Sequence, residues 1–384
     1  MKCLNIVGLT ALSSTYANAW VHRFSSGITR CFGSPLAGWS LAVEDSDEEL
    51  SVFEIDETIN NDHTGSYDLS SPRGWLEYQE NICSGPGAYT VISCDFRKEE
   101  GRSEGHWMIH GQDFHFSRLR SSLLSLETSA KAICDIDVDL SPTIKRTETI
   151  LQSLLKETER IIARVGEGVQ GRSFLVMVTL LWCYESKIDT VCVKGHAFTN
   201  GKMPSSNNIQ PLKVALAIAD KDQNSLVSRM HNIPGAKISS WCRERRTLEQ
   251  TFKSDEIDEV LLVQAIDNDF LILEGLISNV FVVYKGGILR TAGCGVLEGY
   301  ARHLIIKYAS ACGLEVDYQP ISLSDSHLWE EILLTSSVKL VVPVDCMYVP
   351  IYQQDGNLQG FDKVWSSSGA MGFYKRLSSK LHKD

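Results

Sequence analysis

Three short apolar runs, Glu259–Gln264, Phe270–Glu274 and Val280–Tyr284, follow one another with only turn-like breaks between them. Runs of this length bounded by Asp, Asn, Gly and Ser read as strands, and their close spacing suits a meander of mostly antiparallel strands. The second break is the most specific part of the pattern. Glu274 ends one strand, Gly275-Leu276-Ile277-Ser278 makes a tight turn, and Asn279 leads into an apolar strand. Such a turn carries a carboxylate at the edge of a buried sheet. By itself it is also what an ordinary hairpin looks like.

The rest of the chain supplies alternating elements around that meander. Gly87–Ile92 begins a strand, and His106–Phe116 reads as a strand leading into a helix at Ser117–Leu126. Ile144, Ile150, Leu151, Leu154, Leu155, Ile161, Ile162 and Val165 recur at helical spacing and predict an amphipathic helix over Thr143–Val165. Phe174–Trp182, Thr190–Val193, Leu212–Ala219 and Leu340–Val344 are strand-like, whereas Gly195–Gln210 is loop-rich and reads as the domain connection. Leu297–Cys312 reads as a helix stopped by Gly313, a residue type suited to a helix C-cap. The tail from Ser366 is Ser/Gly-rich and then basic, and predicts nothing definite.

Bulk properties exclude some classes of function. The 384 residues carry 37 Lys and Arg against 48 Asp and Glu, a net charge of −11. An acidic chain without a long basic run is a poor binder of nucleic acid. No uninterrupted apolar stretch is long enough to span a bilayer. The eleven cysteines form no CxxC pair and no zinc-like cluster, so buried thiols are the preferred reading over a disulfide framework. Residues 1–43 differ from the rest. A short positive start, a mildly apolar run, Ala17-Asn18-Ala19 before Trp20, and then a stretch with Arg23 and Arg30 and no acid resemble a signal peptide followed by a transit peptide. This layout resembles the bipartite plastid presequences of algae, with secreted or cytoplasmic placement as alternatives. Residues 44–74 open with eight acids between Glu44 and Glu57 and read as a solvated linker. The globular part then divides into a smaller domain at 75–195 and a larger one at 196–384.

Five segments in order carry a family resemblance. His115-Phe116-Ser117-Arg118-Leu119 resembles H-x-x-R-L. Pro234-Gly235-Ala236-Lys237 precedes Glu274 by 37 residues. Glu274 to Phe281 resembles E-G-x-x-S-N-x-F, and Val296 to Arg302 resembles V-L-x-G-x-x-R. Thr335-Ser336-Ser337, ahead of Pro343, resembles the S-G-T segment before a T-P-V strand. Together they resemble the class IV aminotransferases, the fold-type IV pyridoxal-phosphate enzymes that include branched-chain and D-amino-acid aminotransferases and aminodeoxychorismate lyase. The resemblance covers about residues 85 to 350. It implies an α/β (α+β) protein with a smaller N-terminal α/β domain and a larger C-terminal domain built on a distorted β-barrel. It also implies a homodimer.

The resemblance further implies roles for particular residues, and the chemistry explains why these residue types are needed. An amine must condense with the aldehyde of pyridoxal 5′-phosphate, and Lys237 is implied for that role. Freed by the substrate amine, the same Lys237 would act as general base at the substrate α-carbon. An acid must keep the ring nitrogen protonated, and Glu274 is implied, with Asn279 and Leu297 beside it in the matching motifs. The phosphate needs a cation and backbone amides at a helix start. Arg118 would supply the first, the amides of Tyr300 and Ala301 the second, and Ser336 and Ser337 further donors.

The substrate side departs from the family. Neither an R-x-H nor a Y-I-R-P type segment occurs in Val178–Glu185. After the lysine, the chain resembles the K-x-S-x-W-x-R-x-R pattern of a plant and algal branch of the family. Ala301 stands where the family usually has Thr. Arg243, Arg245 or Arg246 is a candidate for a substrate carboxylate, against the preferred reading of one solvated helix face. The expected reaction is amino transfer between an amino acid and a keto acid. An aminodeoxychorismate-type lyase, a non-catalytic binding protein of the same fold and a secreted binding protein are the alternatives.

Overall fold

The structure, a computed structural model, describes residues 52–56, 87–98, 105–134, 148, 151–152, 155–156, 173–185, 188–199, 210–218, 235–254, 256–266, 269–369 and 371–381. The leader expected at 1–43 and most of the helix expected over Thr143–Val165 lie outside these residues. Of that helix, Glu148, Leu151, Gln152, Leu155 and Lys156 are helical.

The N-terminal sheet has five strands: β1 (Val52–Asp56), β2 (Gly87–Lys98), β3 (Gly105–Ile109), β4 (Ser173–Glu185) and β5 (Ile188–Thr199). Their order is β1-β5-β4-β2-β3, and every neighbour is antiparallel. Helix α1 (Gln112–Cys134) follows β3 and starts five residues before the expected Ser117. Phe116, Leu119, Leu123 and Leu126, spaced three and four apart, are its buried stripe, as are Ala88, Ile92 and Cys94 on β2. Two expectations are corrected here. Val52–Asp56, inside the stretch read as a solvated linker, is a strand paired with Lys194–Phe198. Gly195–Thr199, read as loop, is the end of β5, because it pairs with β4 on one side and β1 on the other. Ladder hydrogen bonds on both edges outweigh the turn-like composition there.

The C-terminal region contains β6 (Leu212–Ala217), α2 (Trp241–Phe252), β7 (Glu259–Ile266), β8 (Asp269–Gly275), β9 (Asn279–Tyr284), β10 (Ile288–Arg290), α3 (Tyr300–Ala309), β11 (Glu315–Asp317), β12 (Ile321–Ser322), β13 (Trp329–Ser336), β14 (Leu340–Tyr352), β15 (Leu358–Ser366) and α4 (Gly372–Leu381). The expected antiparallel meander is β7-β8-β9. It is part of a closed ring, β9-β13-β14-β6-β7-β8, that returns to β9 through the single pair Glu274↔Asn279. In this ring β6 runs parallel to both β7 and β14, which no local pattern in the sequence revealed.

The barrel explains why Val280–Tyr284 is apolar without interruption. Val280, Val282 and Tyr284 join Leu216, Leu261, Ile272, Ile332 and Leu334 in the barrel core. Phe281 and Val283 point the other way and pack with Leu304, Ile305, Leu333 and Leu377 under α3 and α4. A strand buried on both faces loses the alternation of a half-buried one. On another side of the barrel, α2 buries Leu248 and Phe252 against Val260 and Leu262. The tail that predicted nothing forms α4, where Tyr374, Leu377 and Leu381 are buried.

Candidate active site

The site lies where α1 and β2 of the first sheet meet the barrel beside its closing pair. Ala88 bridges Ile238, the Tyr89 amide donates to the Lys237 carbonyl at 2.9 Å, and the Ser239 amide donates to the Gly87 carbonyl at 2.8 Å. The backbone around Lys237 is thus held as a short antiparallel neighbour of β2. From the other side, the Lys237 amide donates to Ser122 Oγ at 2.9 Å. Ser122 stands one helical turn after Arg118, so one face of α1 serves both residues.

The Lys237 amine lies over the Tyr89 ring, 4.6 Å from its centroid. The residue keeps part of its surface open, yet protein surrounds the amine closely. That burial pushes its pKa down to about 7, and the nearby Arg118 cation acts in the same direction. A lysine in this state is largely unprotonated just above neutrality, where it is nucleophilic. Glu274 contributes a weaker opposing effect.

Glu274 is buried at the end of β8. Its Oε2 accepts from Asn279 Nδ2 at 3.2 Å and from the Leu297 amide at 3.0 Å, and Asn279 Nδ2 also donates to the Leu297 carbonyl at 2.7 Å. Leu297 therefore contributes its backbone. This also corrects the expected helix: α3 begins at Tyr300, not Leu297, because the Leu297 peptide groups are held by Glu274 and Asn279. Gly299 precedes α3 in an extended conformation, φ −78 and ψ 144. A Cβ there would overlap Asn279 Oδ1, so the chain passes over this carboxamide only as glycine. The helix ends as read, with Gly313 at φ 75 after a 3-10 turn at Ser310–Cys312.

The start of α3 has no side-chain cap. Its first-turn amides, Ala301's among them, have no acceptor within the helix and favour an anion there. The Tyr300 ring packs against Phe114 and His115, at 5.6 and 5.2 Å between centroids, and fills the space a Cβ at Gly111 would need. Arg118 reaches the same place, its Nη1 donating to the Glu298 carbonyl at 3.1 Å. Nη2 donates to Thr90 Oγ1 at 3.0 Å and to His115 Nδ1 at 3.1 Å. Burial lowers the guanidinium to about 10, and Nε has no hydrogen-bond partner. Arg302, from the same motif, donates to Glu298 Oε2 at 2.6 Å and to the Ala292 carbonyl at 3.0 Å, which fixes the loop before α3.

Ser336 and Ser337 lie at the hairpin between β13 and β14, where Ser336 Oγ accepts from the Lys339 amide at 3.1 Å. The buried hydroxyl of that segment is Thr335, the register partner of Asn279, and its Oγ1 has no partner. Among the three arginines of α2, Arg243 is exposed, while Arg245 is half-buried and pairs with Glu249 at 3.4 Å. The helix is thus less solvated than its composition suggests. Tyr89, Thr90 and Ser122 were missed by the motif reading, since the packing of α1 on β2 brings Thr90 to Arg118 and the meeting of that layer with the barrel brings Tyr89 and Ser122 to Lys237.

These residues fit pyridoxal 5′-phosphate. A lysine amine kept low in pKa, a buried carboxylate, an uncapped helix start and a buried guanidinium with an unengaged Nε match its aldehyde, ring nitrogen and phosphate.

Comparison with known proteins bears on the family and the fold. The family model described as amino-transferase class IV matches residues 106–346, 241 of the 384 residues. A "Putative branched-chain-amino-acid aminotransferase" of Methanocaldococcus jannaschii is 33% identical over 90 residues, which are 23% of this chain and 30% of that relative. A fold IV-transaminase from Curtobacterium pusillum superposes with a TM-score of 0.51 at 19% identity, over 78% of this chain and 87% of the other. The branched-chain aminotransferase of Thermoproteus uzoniensis, solved with norvaline, gives a TM-score of 0.51 at 13% identity over 90% and 94%. At these identities the two structures establish the fold.

Proposed function

The chain belongs to the amino-transferase class IV family, and on that premise we propose that it is a pyridoxal-phosphate-dependent aminotransferase moving an amino group from an amino acid to a keto acid. The observation that carries this reading is Lys237, whose amine is held near pKa 7 beside a buried carboxylate and a buried guanidinium.

When bound, the cofactor supplies a protonated ring that takes up the electron pair left at the substrate α-carbon. The protein's part is assigned residue by residue. Lys237 Nζ would be the group that holds the cofactor aldehyde, and as a free amine it would accept the α-proton and return it. Glu274, itself steadied by Asn279 and the Leu297 amide, would accept a hydrogen bond from the ring nitrogen and keep it protonated. Arg118 and the first-turn amides of α3 would hold the phosphate. Tyr89 covers the amine and keeps water from it. We further propose a homodimer, which sedimentation would test.

The test is product analysis. Purified protein loaded with cofactor is mixed with a panel of amino acids and a 2-oxo acid acceptor. The reading requires matched formation of a new amino acid and a new keto acid. Release of pyruvate from aminodeoxychorismate, without amino transfer, would replace it by the lyase. Binding of cofactor without any turnover would replace it by a non-catalytic binding protein.

A further inference from the structure

Arg118 is a buried cation whose every hydrogen-bond partner is neutral. Among the described residues it makes no ion pair with a carboxylate. Its acceptors are a backbone carbonyl (Glu298), a hydroxyl (Thr90) and an imidazole (His115). A buried guanidinium is normally compensated by an acid. Here its direction is fixed while its charge is left uncompensated.

The hydrogen-bond logic defines the imidazole. Arg118 Nη2 only donates, so His115 Nδ1 accepts from it and carries no proton. Thr90 Oγ1 also accepts from Nη2, so its hydroxyl hydrogen shares the single Nδ1 lone pair of His115 with Nη2, at 2.7 Å. That arrangement puts the ring proton on Nε2, which is buried without a hydrogen-bond partner. His115 is fully buried, and burial together with the Arg118 charge keeps its pKa well below the usual histidine range. The result is a closed triangle of Arg118, His115 and Thr90 on two elements of the first sheet's layer.

We infer that His115 and Thr90 are positioning residues that aim the Arg118 guanidinium at an anion on the first turn of α3 without neutralising it. A carboxylate in place of His115 would hold Arg118 equally well and cancel the field that attracts the anion. A neutral acceptor does the first without the second. The inference rests on the proposed function, since the anion it serves there is the cofactor phosphate.

The experiment compares pyridoxal 5′-phosphate with pyridoxal, which lacks the phosphate, by fluorescence titration, and adds inorganic phosphate protection of the apoprotein against thermal unfolding. Wild type should prefer the phosphorylated form. His115→Leu should lose about tenfold in affinity for it, ~1.4 kcal/mol, with pyridoxal affinity unchanged, and should lose the thermal shift from phosphate. His115→Asn keeps an acceptor near the Nδ1 position and should stay within about threefold of wild type. Thr90→Val should fall with His115→Leu, and Thr90→Ser should not. If His115→Leu and Thr90→Val weaken both forms equally, or neither, the positioning role is overturned while the proposed function stands. If wild type itself does not distinguish the two forms, the phosphate site of the proposed function fails as well.

Discussion

Glu274 and Asn279 are the register pair that closes the barrel, and the Asn279 carboxamide donates to the Glu274 carboxylate at 3.2 Å. The same carboxamide holds the Leu297 carbonyl at 2.7 Å. One side chain therefore links the seam of the sheet, the buried acid and the segment entering α3. Asn279→Ala should lower stability by about 1–3 kcal/mol, because it leaves buried acceptors unpaired. Cofactor affinity should fall in the same variant. Urea denaturation of the apoprotein and a cofactor titration check the two parts separately.

Gly299 is tied to that link. A Cβ at 299 would overlap Asn279 Oδ1, although the backbone there is extended and any residue adopts it. Gly299→Ala should therefore act through sterics alone. The expected outcome is a loss of about 1–3 kcal/mol in stability with displacement of the α3 start. Combining it with Asn279→Ala should recover part of the loss, since the obstructing oxygen is gone. A double-mutant cycle reads this coupling.

The Lys237 amine, near 7 in the folded protein, lies far below its unfolded value. Between about pH 7 and 10 the unfolded chain then binds more protons at this residue than the folded chain. Stability of the apoprotein should accordingly rise with pH across that window through this group. Lys237→Met should remove that component and raise stability at pH 7 and below, where the wild type holds a buried cation. Denaturation midpoints of the two proteins at several pH values decide it. Competitive acetylation with mass readout should place Lys237 near neutrality.

Glu331 fixes the last helix. It is buried on β13, and its two carboxylate oxygens accept from the Phe373 and Tyr374 amides at 2.9 and 2.8 Å. A carboxylate at a helix start satisfies open donors and suits the helix dipole. Glu331→Leu should cost about 1–3 kcal/mol and raise hydrogen exchange selectively in Gly372–Leu381.

The meander β7-β8-β9 and the barrel strands β6 and β14 were legible in the sequence as short apolar runs, whereas β13 was not read as a strand, and Lys237, Glu274 and Arg118 were picked out through the family resemblance. What was not legible depends on distant register. Arg118 meets the Glu298 carbonyl across 180 residues, and Ser122 meets the Lys237 amide across 115. Thr335 was overlooked beside Ser336 because only its pairing with Asn279 buries it. The start of α3 was misplaced because the apolar Val296-Leu297 pair mimics a helix turn, while side chains from β8 and β9 hold its backbone extended. The Ser/Gly composition near the C-terminus concealed α4, whose cap lies 42 residues earlier at Glu331.

The central claim is that Lys237 is the residue to which pyridoxal 5′-phosphate attaches. Incubation of the protein with the cofactor, reduction with borohydride and peptide mass spectrometry test it most directly. The account predicts one phosphopyridoxyl increment on the peptide containing Lys237, and none in Lys237→Ala. An increment on another lysine, or the same labelling in Lys237→Ala, would contradict it.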